Sequence, residues 1–250
     1  MYPVATVRDY EGLAQRVEGF SPPAVHQVLG DVDGFPVYCV RVSTDASLPV
    51  VYVNGGTHGD EPAGVEATLV FLEAHSKRWL DRVQFDVIPC LNPYGYVHNT
   101  RLNGQEMDIN WAYKRDDVSE IQLIRNLVCD RKFMAIVDFH EDWESPGFYM
   151  YEQFRGLDPP GQIVARRVSE VCPLNRNGRI EQEVAKNGVI HPSMEIPKRR
   201  RGEGVPIGLF QEGYTDYLVT LETPSEKEME VRVQAHITAL ETILDARCRT

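Results

Sequence analysis

The chain has 250 residues, of which 42% are hydrophobic and 25% charged, an ordinary composition for a globular protein with one sizeable core. The formal net charge of -11 argues against a general nucleic-acid partner and against docking on anionic membranes. No stretch approaches the ~20 continuous apolar residues of a membrane span, and the first residues lack the charged start and apolar run of a signal peptide. We therefore expect a cytoplasmic protein without nucleic-acid or membrane partners, and the sequence leaves its oligomeric state open.

The predicted secondary structure alternates between strands and helices along the whole chain. Segments rich in valine and tyrosine predict strands at residues 36–42, 49–54, 83–91, 133–139 and 217–222. Apolar residues at helical spacing predict helices at residues 61–74, 117–130, 160–171 and 225–246. This alternation predicts an α/β fold in which helices flank a central mixed, twisted sheet. No linker divides the chain, so we expect a single domain over residues 1–250.

The least regular region is residues 174–213, which contain asparagine, glycine and proline and the basic run Lys198–Arg201. We predict a long excursion over the surface there. Long loops in compact domains are often functional, and this one comes directly before the strand at 217–222.

The five cysteines also bear on the class of protein. They are scattered and odd in number, and none forms a C-x-x-C pair. This pattern is typical of free thiols in a reducing compartment and argues against cysteine-ligated zinc.

The sharpest local signal is the segment Asn54-Gly-Gly-Thr-His58-Gly-Asp-Glu61-Pro, which follows a strand and opens a helix. A histidine and a glutamate three residues apart can face one point where the chain turns from strand into helix, and both are good zinc ligands. Glycines let the backbone turn sharply there. An H-x-x-E pattern is weak by itself, because Glu61 would also suit a helix N-terminus.

A second histidine, His140, follows the apolar strand at 133–139. Sites in open α/β sheets form outside the carboxyl ends of the strands, where both His58 and His140 are predicted to lie. Alone, His140 would be interpreted as a hydrogen-bonded loop residue. Together with Glu61, the two histidines supply the three protein ligands of a catalytic zinc, with a fourth position left for water.

A carboxylate, Glu222, ends the strand at 217–222 and is followed by Thr223 and Pro224. A lone glutamate at this place is usually a helix-end residue or part of a salt bridge. Beside a metal it is a candidate general base that takes a proton from water. Asp60, Glu141 and Asp142 also flank the predicted ligands and leave a second metal open, although we interpret them as solvated or ligand-orienting acids.

Taken together, these motifs resemble the zinc carboxypeptidase family, the group of carboxypeptidase A, including its aspartoacylase and succinylglutamate desuccinylase branch. The resemblance covers roughly residues 36–224. It depends on six pieces that occur in the family's order: His58–Pro62, Leu91–Gly95, Arg101, Met107–Asn110, Asp138–His140 and Thr220–Pro224. Each piece is weak alone, whereas the ordered set is specific.

The resemblance implies a role for each matching residue. His58, Glu61 and His140 match the zinc ligands, and Glu222 matches the catalytic carboxylate. Arg101 matches the arginine that polarises the scissile carbonyl and stabilises its oxyanion. Asn110 matches the asparagine that binds the substrate's terminal carboxylate. Asp108 matches an acid that hydrogen-bonds the first zinc histidine. The alternative role for Asp108 is to cap a turn.

One departure from the family concerns recognition of the substrate. The family usually has Asn-Arg where this chain has Asn110-Trp111, and an indole cannot replace a bidentate guanidinium. We expect another cation to help, with Lys114, Arg115 and Arg199–Arg201 as candidates. Tyr214 is placed as a loose match to the family's mobile tyrosine, and with Trp111 it completes the predicted substrate-binding residues.

The sequence therefore predicts a zinc-dependent hydrolase that cleaves an amide bond, with carboxypeptidase-like action on a small peptide or amino-acid conjugate. The alternative within this class is a deacylase of N-acyl amino acids. A non-catalytic binding module on the same fold ranks lower, because every predicted ligand and the predicted base are present.

Overall fold

The protein is described by a computed structural model over residues 8–156, 158–192 and 204–248. Its centre is a mixed sheet of ten strands in the order β1-β2-β4-β3-β5-β10-β6-β9-β8-β7. The strands are β1 Ala24–Val32, β2 Phe35–Val42, β3 Val50–Gly55, β4 Gln84–Ile88, β5 Ala135–Asp142, β6 Tyr149–Phe154, β7 Arg179–Ile180, β8 Glu183–Lys186, β9 Val189–Ile190 and β10 Tyr217–Pro224. The predicted α/β fold with a helix-flanked mixed sheet is confirmed.

Helices cover both faces of this sheet. They are α1 Tyr10–Glu18, α2 Pro62–Val70, α3 Pro93–His98, α4 Ser119–Val128, α5 Gly161–Val168, α6 Val205–Gln211 and α7 Met229–Arg247, with a 3₁₀ turn at Ile109–Trp111. One face packs against α1, α2, α5 and α7, and the other packs against α4, α6 and the 3₁₀ turn. Within the described ranges, no helix combines the length and the apolar character needed to span a bilayer.

The middle of the sheet is parallel. β3 pairs in parallel with β4 and β5, and β10 pairs in parallel with β5. β3, β5 and β10 begin with apolar runs because both of their faces are buried, as those of parallel strands usually are. Their carboxyl ends meet at one edge of the sheet, and we call this edge the carboxyl edge. It carries the residues discussed below.

The prediction of a long surface excursion over residues 174–213 is wrong for residues 174–192 and 204–213, which the structure describes. The described part of that region adds three short strands, β7, β8 and β9, to the side of β6, and it also contains α6. Strands of two to four residues are too short to show a period of two, so the sequence pattern gave no signal. The basic run Lys198–Arg201 lies outside the described residues.

Two predicted helices begin and end elsewhere. α2 starts at Pro62 and passes at Phe71 into a π-helical turn, so Glu61 precedes the helix rather than belonging to it. The last helix, α7, starts at Met229 instead of residue 225. The sequence analysis also missed α1, α3, β1 and β6.

Candidate metal centre and active site

The loop between β3 and α2 packs so closely against the backbone of α3 that it requires glycine. A Cβ on Gly59 would lie 1.8 Å from the carbonyl carbon of Gly95, and Gly56 has a φ of 65°. Arg8 donates from Nη1 to the carbonyl oxygens of Gly59 (2.8 Å) and Tyr96 (2.9 Å), which ties the loop to α3. The loop therefore presents His58 and Glu61 from a fixed backbone.

Three predicted ligands converge at the carboxyl edge. One ligand atom from each of His58, Glu61 and His140 lies within 4.8 Å of the others, and all three residues are buried. The two Nδ1 atoms are 3.1 Å apart, and the Glu61 carboxylate lies 2.6 Å from His58 Nδ1 and 2.8 Å from His140 Nδ1. Tetrahedral zinc with bonds of ~2.0–2.1 Å to nitrogen needs donor atoms about 3.3 Å apart, so this donor set fits zinc.

Each imidazole is oriented by a carboxylate on its outer nitrogen. His58 Nε2 lies 3.1 Å from Asp108 Oδ1, and His140 Nε2 lies 3.0 Å from Asp138 Oδ2. Because a carboxylate only accepts, each Nε2 donates its proton outward, and in the neutral imidazole that a metal binds, Nδ1 would present its lone pair to the centre. Asn54 donates from Nδ2 to Asp138 Oδ1 at 2.7 Å and holds that acid in turn.

The sequence analysis assigned no role to Asp138. Its signal was available, because Asp138 and His140 are two apart on one strand and so project to the same face. Asp108 also accepts from the backbone N–H of Asn110, so it caps the 3₁₀ turn as well as contacting His58.

We expect Asp138→Asn to weaken zinc binding by ~10–100-fold, the usual cost of losing an orienting carboxylate. Asparagine preserves the shape, while its amide cannot stabilise the protonated Nε2 in the same way. Competition with a chromogenic chelator measures the zinc dissociation constant. The control is Asp45→Asn, an exposed acid remote from the centre; equal affinity in both variants would remove Asp138 from the site.

The acids around the two histidines favour positive charge at this centre. Burial lowers the pKa of His58, but Glu61 and the hydrogen bond to Asp108 outweigh it, and the net pKa is raised. Burial also lowers the pKa of His140. Asp138 and Glu61 outweigh this effect and raise that pKa well above its ordinary value. Since zinc binds the neutral imidazole, metal binding at this centre must displace protons.

The candidate base lies beside this centre. Glu222 on β10 pairs directly with His140 on β5 in the parallel ladder, so both side chains project to the same face. The Glu222 residue is half-buried. Burial raises the pKa of its carboxyl to about 8, with Glu61 and Asp142 adding to the rise and His140 opposing it. A general base works best when its pKa lies near the operating pH.

Arg101 reaches the same centre through contacts with two of its acids. It donates from Nε to Asp108 Oδ2 (3.0 Å), and Nη1 lies 3.3 Å from Glu61 Oε1. Its side chain is 45% exposed, so part of the guanidinium remains open to a ligand. The position suits the predicted role at a developing oxyanion.

The predicted substrate-binding pair, Asn110 and Trp111, ends the 3₁₀ turn that Asp108 caps. Asn110 Oδ1 is buried and has no hydrogen-bond partner among the described residues. Trp111 is partly buried and lies against Gly204, where a Cβ would stand 3.2 Å from the indole. Trp111 therefore packs at the start of α6.

Of the predicted helper cations, Arg115 is bound to Asp117 by two hydrogen bonds of 2.6 and 2.7 Å at the surface. Lys114 is exposed. Arg199–Arg201 lie outside the described residues. The helper cation therefore stays a prediction.

The assignment of Tyr214 to substrate binding is wrong. Its carbonyl oxygen accepts from the N–H of Phe133 at 2.7 Å, and Thr215 bridges to Phe133, so Tyr214 lies where β5 and β10 begin. Glu222 is eight residues further along an extended segment, or roughly 26 Å at ~3.3 Å per residue. The tyrosine is close to the base in sequence and lies at the opposite edge of the sheet.

The acids that left a second metal open are otherwise engaged or exposed. Glu141 projects to the other face, where it accepts from the N–H of Ala63 at 2.6 Å and pairs with Arg232 of α7. Asp60 is exposed. Asp142 accepts a hydrogen bond from Tyr149, which the sequence analysis did not single out.

Comparison with known proteins agrees with the family resemblance found in the sequence. The model of a family described as zinc carboxypeptidase matches residues 25–175. Carboxypeptidase SOL1 of Arabidopsis thaliana is 24% identical over 140 residues, which cover 46% of this chain and 28% of that protein. The chain thus spans little more than a quarter of the length of this curated relative.

Solved structures share the fold. A protein of Shewanella denitrificans OS217 described as a metallopeptidase superposes with a TM-score of 0.81 at 22% identity, covering 96% of this chain and 90% of that one. A metallo-carboxypeptidase from Pseudomonas aeruginosa, in complex with (2-guanidinoethylmercapto)succinic acid, gives a TM-score of 0.67 at 18% identity over 96% and 69% of the two chains. At such identities the likeness extends to the fold alone.

Proposed function

The chain belongs to the zinc carboxypeptidase family, as its motifs predicted, and from that premise we propose that it removes the C-terminal residue of a small peptide or amino-acid conjugate. The observation that carries the proposal is the placement of Glu222 directly beside His140, with His58, Glu61 and His140 converging on one point. A general base next to a three-ligand centre is the arrangement of a metallohydrolase.

His58, Glu61 and His140 would hold the zinc. When bound, zinc supplies a Lewis acid that lowers the pKa of water and polarises the substrate carbonyl. Glu222 accepts the proton of the attacking water and returns it to the leaving amine. Arg101, with its half-exposed guanidinium, stabilises the negative charge that develops on the carbonyl oxygen.

Asn110 and Trp111 would bind the part of the substrate that leaves as the amine. Asn110 supplies hydrogen bonds without a full charge, and burying a free carboxylate without a cation is costly. We propose that a further cation assists there, with Arg101 contributing and Lys114, Arg115 and Arg199–Arg201 as the candidates from the sequence. The relative from Pseudomonas aeruginosa binds a ligand with two carboxylates, and this supports an anionic group on the substrate.

The second candidate is a deacylase of N-acyl amino acids. Trp111 favours it, because a large apolar face in place of the usual arginine weakens ordinary recognition of a C-terminus. A non-catalytic binding module would need neither an intact ligand set nor a base, and this chain has both. We also propose a cytoplasmic location, which the five free cysteines support.

We expect wild-type protein loaded with zinc to hydrolyse peptides with a free C-terminal carboxylate faster than the matched carboxamides. The measurement is kcat/KM for each pair, screened alongside N-acyl amino acids. Neutralising the true helper cation should raise KM for the carboxylate substrates only, and Trp111→Arg should improve simple C-terminal substrates. Equal rates for both members of each pair would exclude an exopeptidase, and turnover of N-acyl amino acids alone would identify a deacylase.

A further inference from the structure

One pair of residues at the carboxyl edge has no part in the proposed chemistry. The hydroxyl of Tyr149 donates to Asp142 Oδ2 at 2.9 Å. Tyr149 is the first residue of β6, and Asp142 is the last residue of β5. These two strands are not neighbours, because β10 lies between them. The hydrogen bond therefore joins two strands across the strand that carries Glu222.

The register shows where this bond lies. Tyr149 pairs with Glu222 in the antiparallel ladder, and Asp142 pairs with Pro224 in the parallel one. Directly opposed residues project to the same face of a sheet, which here is also the face of His140. Two strand spacings amount to ~9.5 Å, so the Tyr149 side chain must reach over β10 alongside Glu222. We call the Tyr149–Asp142 pair the tyrosine bridge.

The Glu222 carboxylate is not oriented by a hydrogen bond to any of the described residues. Its position must come from packing and charge. On one side stands His140, its partner in the ladder, and on the other stands Tyr149. Tyr149 is only 3% exposed, and the ring of Tyr151 packs edge-on against it at 5.7 Å. On this side, therefore, Glu222 faces a side chain that is buried and packed against a second ring.

We propose that the tyrosine bridge is a positioning device that holds Glu222 against the metal centre. This inference rests on the proposed role of Glu222 as the base. Because the Tyr149 hydroxyl is committed to Asp142, it does not donate to Glu222, and such a donation would weaken the base. The Asp142 carboxylate also repels that of Glu222 and so favours orientations directed at His140.

We expect Tyr149→Phe to lower kcat by about tenfold while KM changes less than twofold, since small errors in the placement of a catalytic group are costly. The matched control is Tyr217→Phe. Tyr217 is the first residue of β10, and its phenylalanine variant loses an equivalent bond, from the hydroxyl to Glu152 Oε1 at 2.7 Å. We expect Tyr217→Phe to lower the unfolding temperature comparably and to leave kcat unchanged.

Changes at Asp142 test the other end of the bridge. Asparagine can keep a hydrogen bond to Tyr149, whereas alanine cannot, so Asp142→Asn should retain more activity than Asp142→Ala. The double variant Tyr149→Phe, Asp142→Ala should be no slower than its slower parent, because residues acting as one unit are not additive. If Tyr149→Phe does not fold, the comparison of the two Asp142 variants decides the matter alone.

A readout that needs no turnover is the visible spectrum of the cobalt(II)-substituted protein. The bands should change in Tyr149→Phe as they do in Glu222→Gln, and should be unaltered in Tyr217→Phe. Wild-type kcat and a wild-type spectrum in Tyr149→Phe would overturn the positioning role. If Glu222→Gln itself were fully active, the proposed function would fail instead, so the two failures are distinguishable.

Discussion

Replacing Glu222 by glutamine is expected to lower kcat by ~10²–10⁴ while the fold and the zinc content stay those of the wild type. The amide keeps the shape of the carboxylate and cannot accept the proton of the attacking water. Because burial raises the pKa of the carboxyl to about 8, the neutral amide is accommodated without loss of stability. Steady-state kinetics, metal analysis and circular dichroism on the same preparation test all three statements.

The matched control is Glu183→Gln, another buried glutamate on a strand, β8, which β6 and β9 separate from β10. It should leave kcat unchanged. Turnover of Glu222→Gln at the wild-type rate with zinc bound would make Glu222 a structural residue and would require a different base.

Replacing His140 by alanine is expected to have the second largest effect, the loss of both zinc and activity. His140 supplies one of three converging ligands, and Glu61 would lose one of its two imidazole partners. The loss of affinity should exceed the ~10–100-fold expected when only an orienting carboxylate is removed. The measurement is zinc per protein after dialysis against a weak chelator, followed by the residual rate.

His98→Ala is the control for this experiment, since His98 is an exposed histidine whose ring bonds the carbonyl oxygen of Tyr94 outside the centre. It should retain zinc and full activity. Equal zinc retention by His98→Ala and His140→Ala would show that the metal is bound elsewhere.

Much of the fold was predictable because β3, β5 and β10 begin with short apolar runs. β5 and β10 are buried on both faces, and such runs bounded by polar residues are recognisable in a sequence. β1 was missed because it is an edge strand in which buried and exposed residues do not alternate. The hairpin of β7 and β8 was missed because its strands are too short for any periodicity.

The metal centre was predictable for a related reason. The ends of parallel strands meet at one edge, so residues at the ends of β3, β5 and β10 must be neighbours whatever their separation in the chain. The tyrosine bridge was not predictable, because the contact of Tyr149 with Asp142 depends on the lateral order of β5, β10 and β6. Local sequence does not contain that order.

The error at Tyr214 has the opposite origin. Its closeness to Glu222 in the chain suggested closeness in space, but an extended strand separates residues at ~3.3 Å per step. Strand direction therefore decides which of two sequence neighbours reaches the site.

The central claim is that His58, Glu61 and His140 hold one zinc beside Glu222. Anomalous diffraction at the zinc absorption edge, on crystals of zinc-loaded protein, tests it most directly. We predict one strong peak, about 2.0–2.2 Å from Nδ1 of His58, Nδ1 of His140 and the Glu61 carboxylate. A strong peak at other residues, with none between these three, would contradict the account.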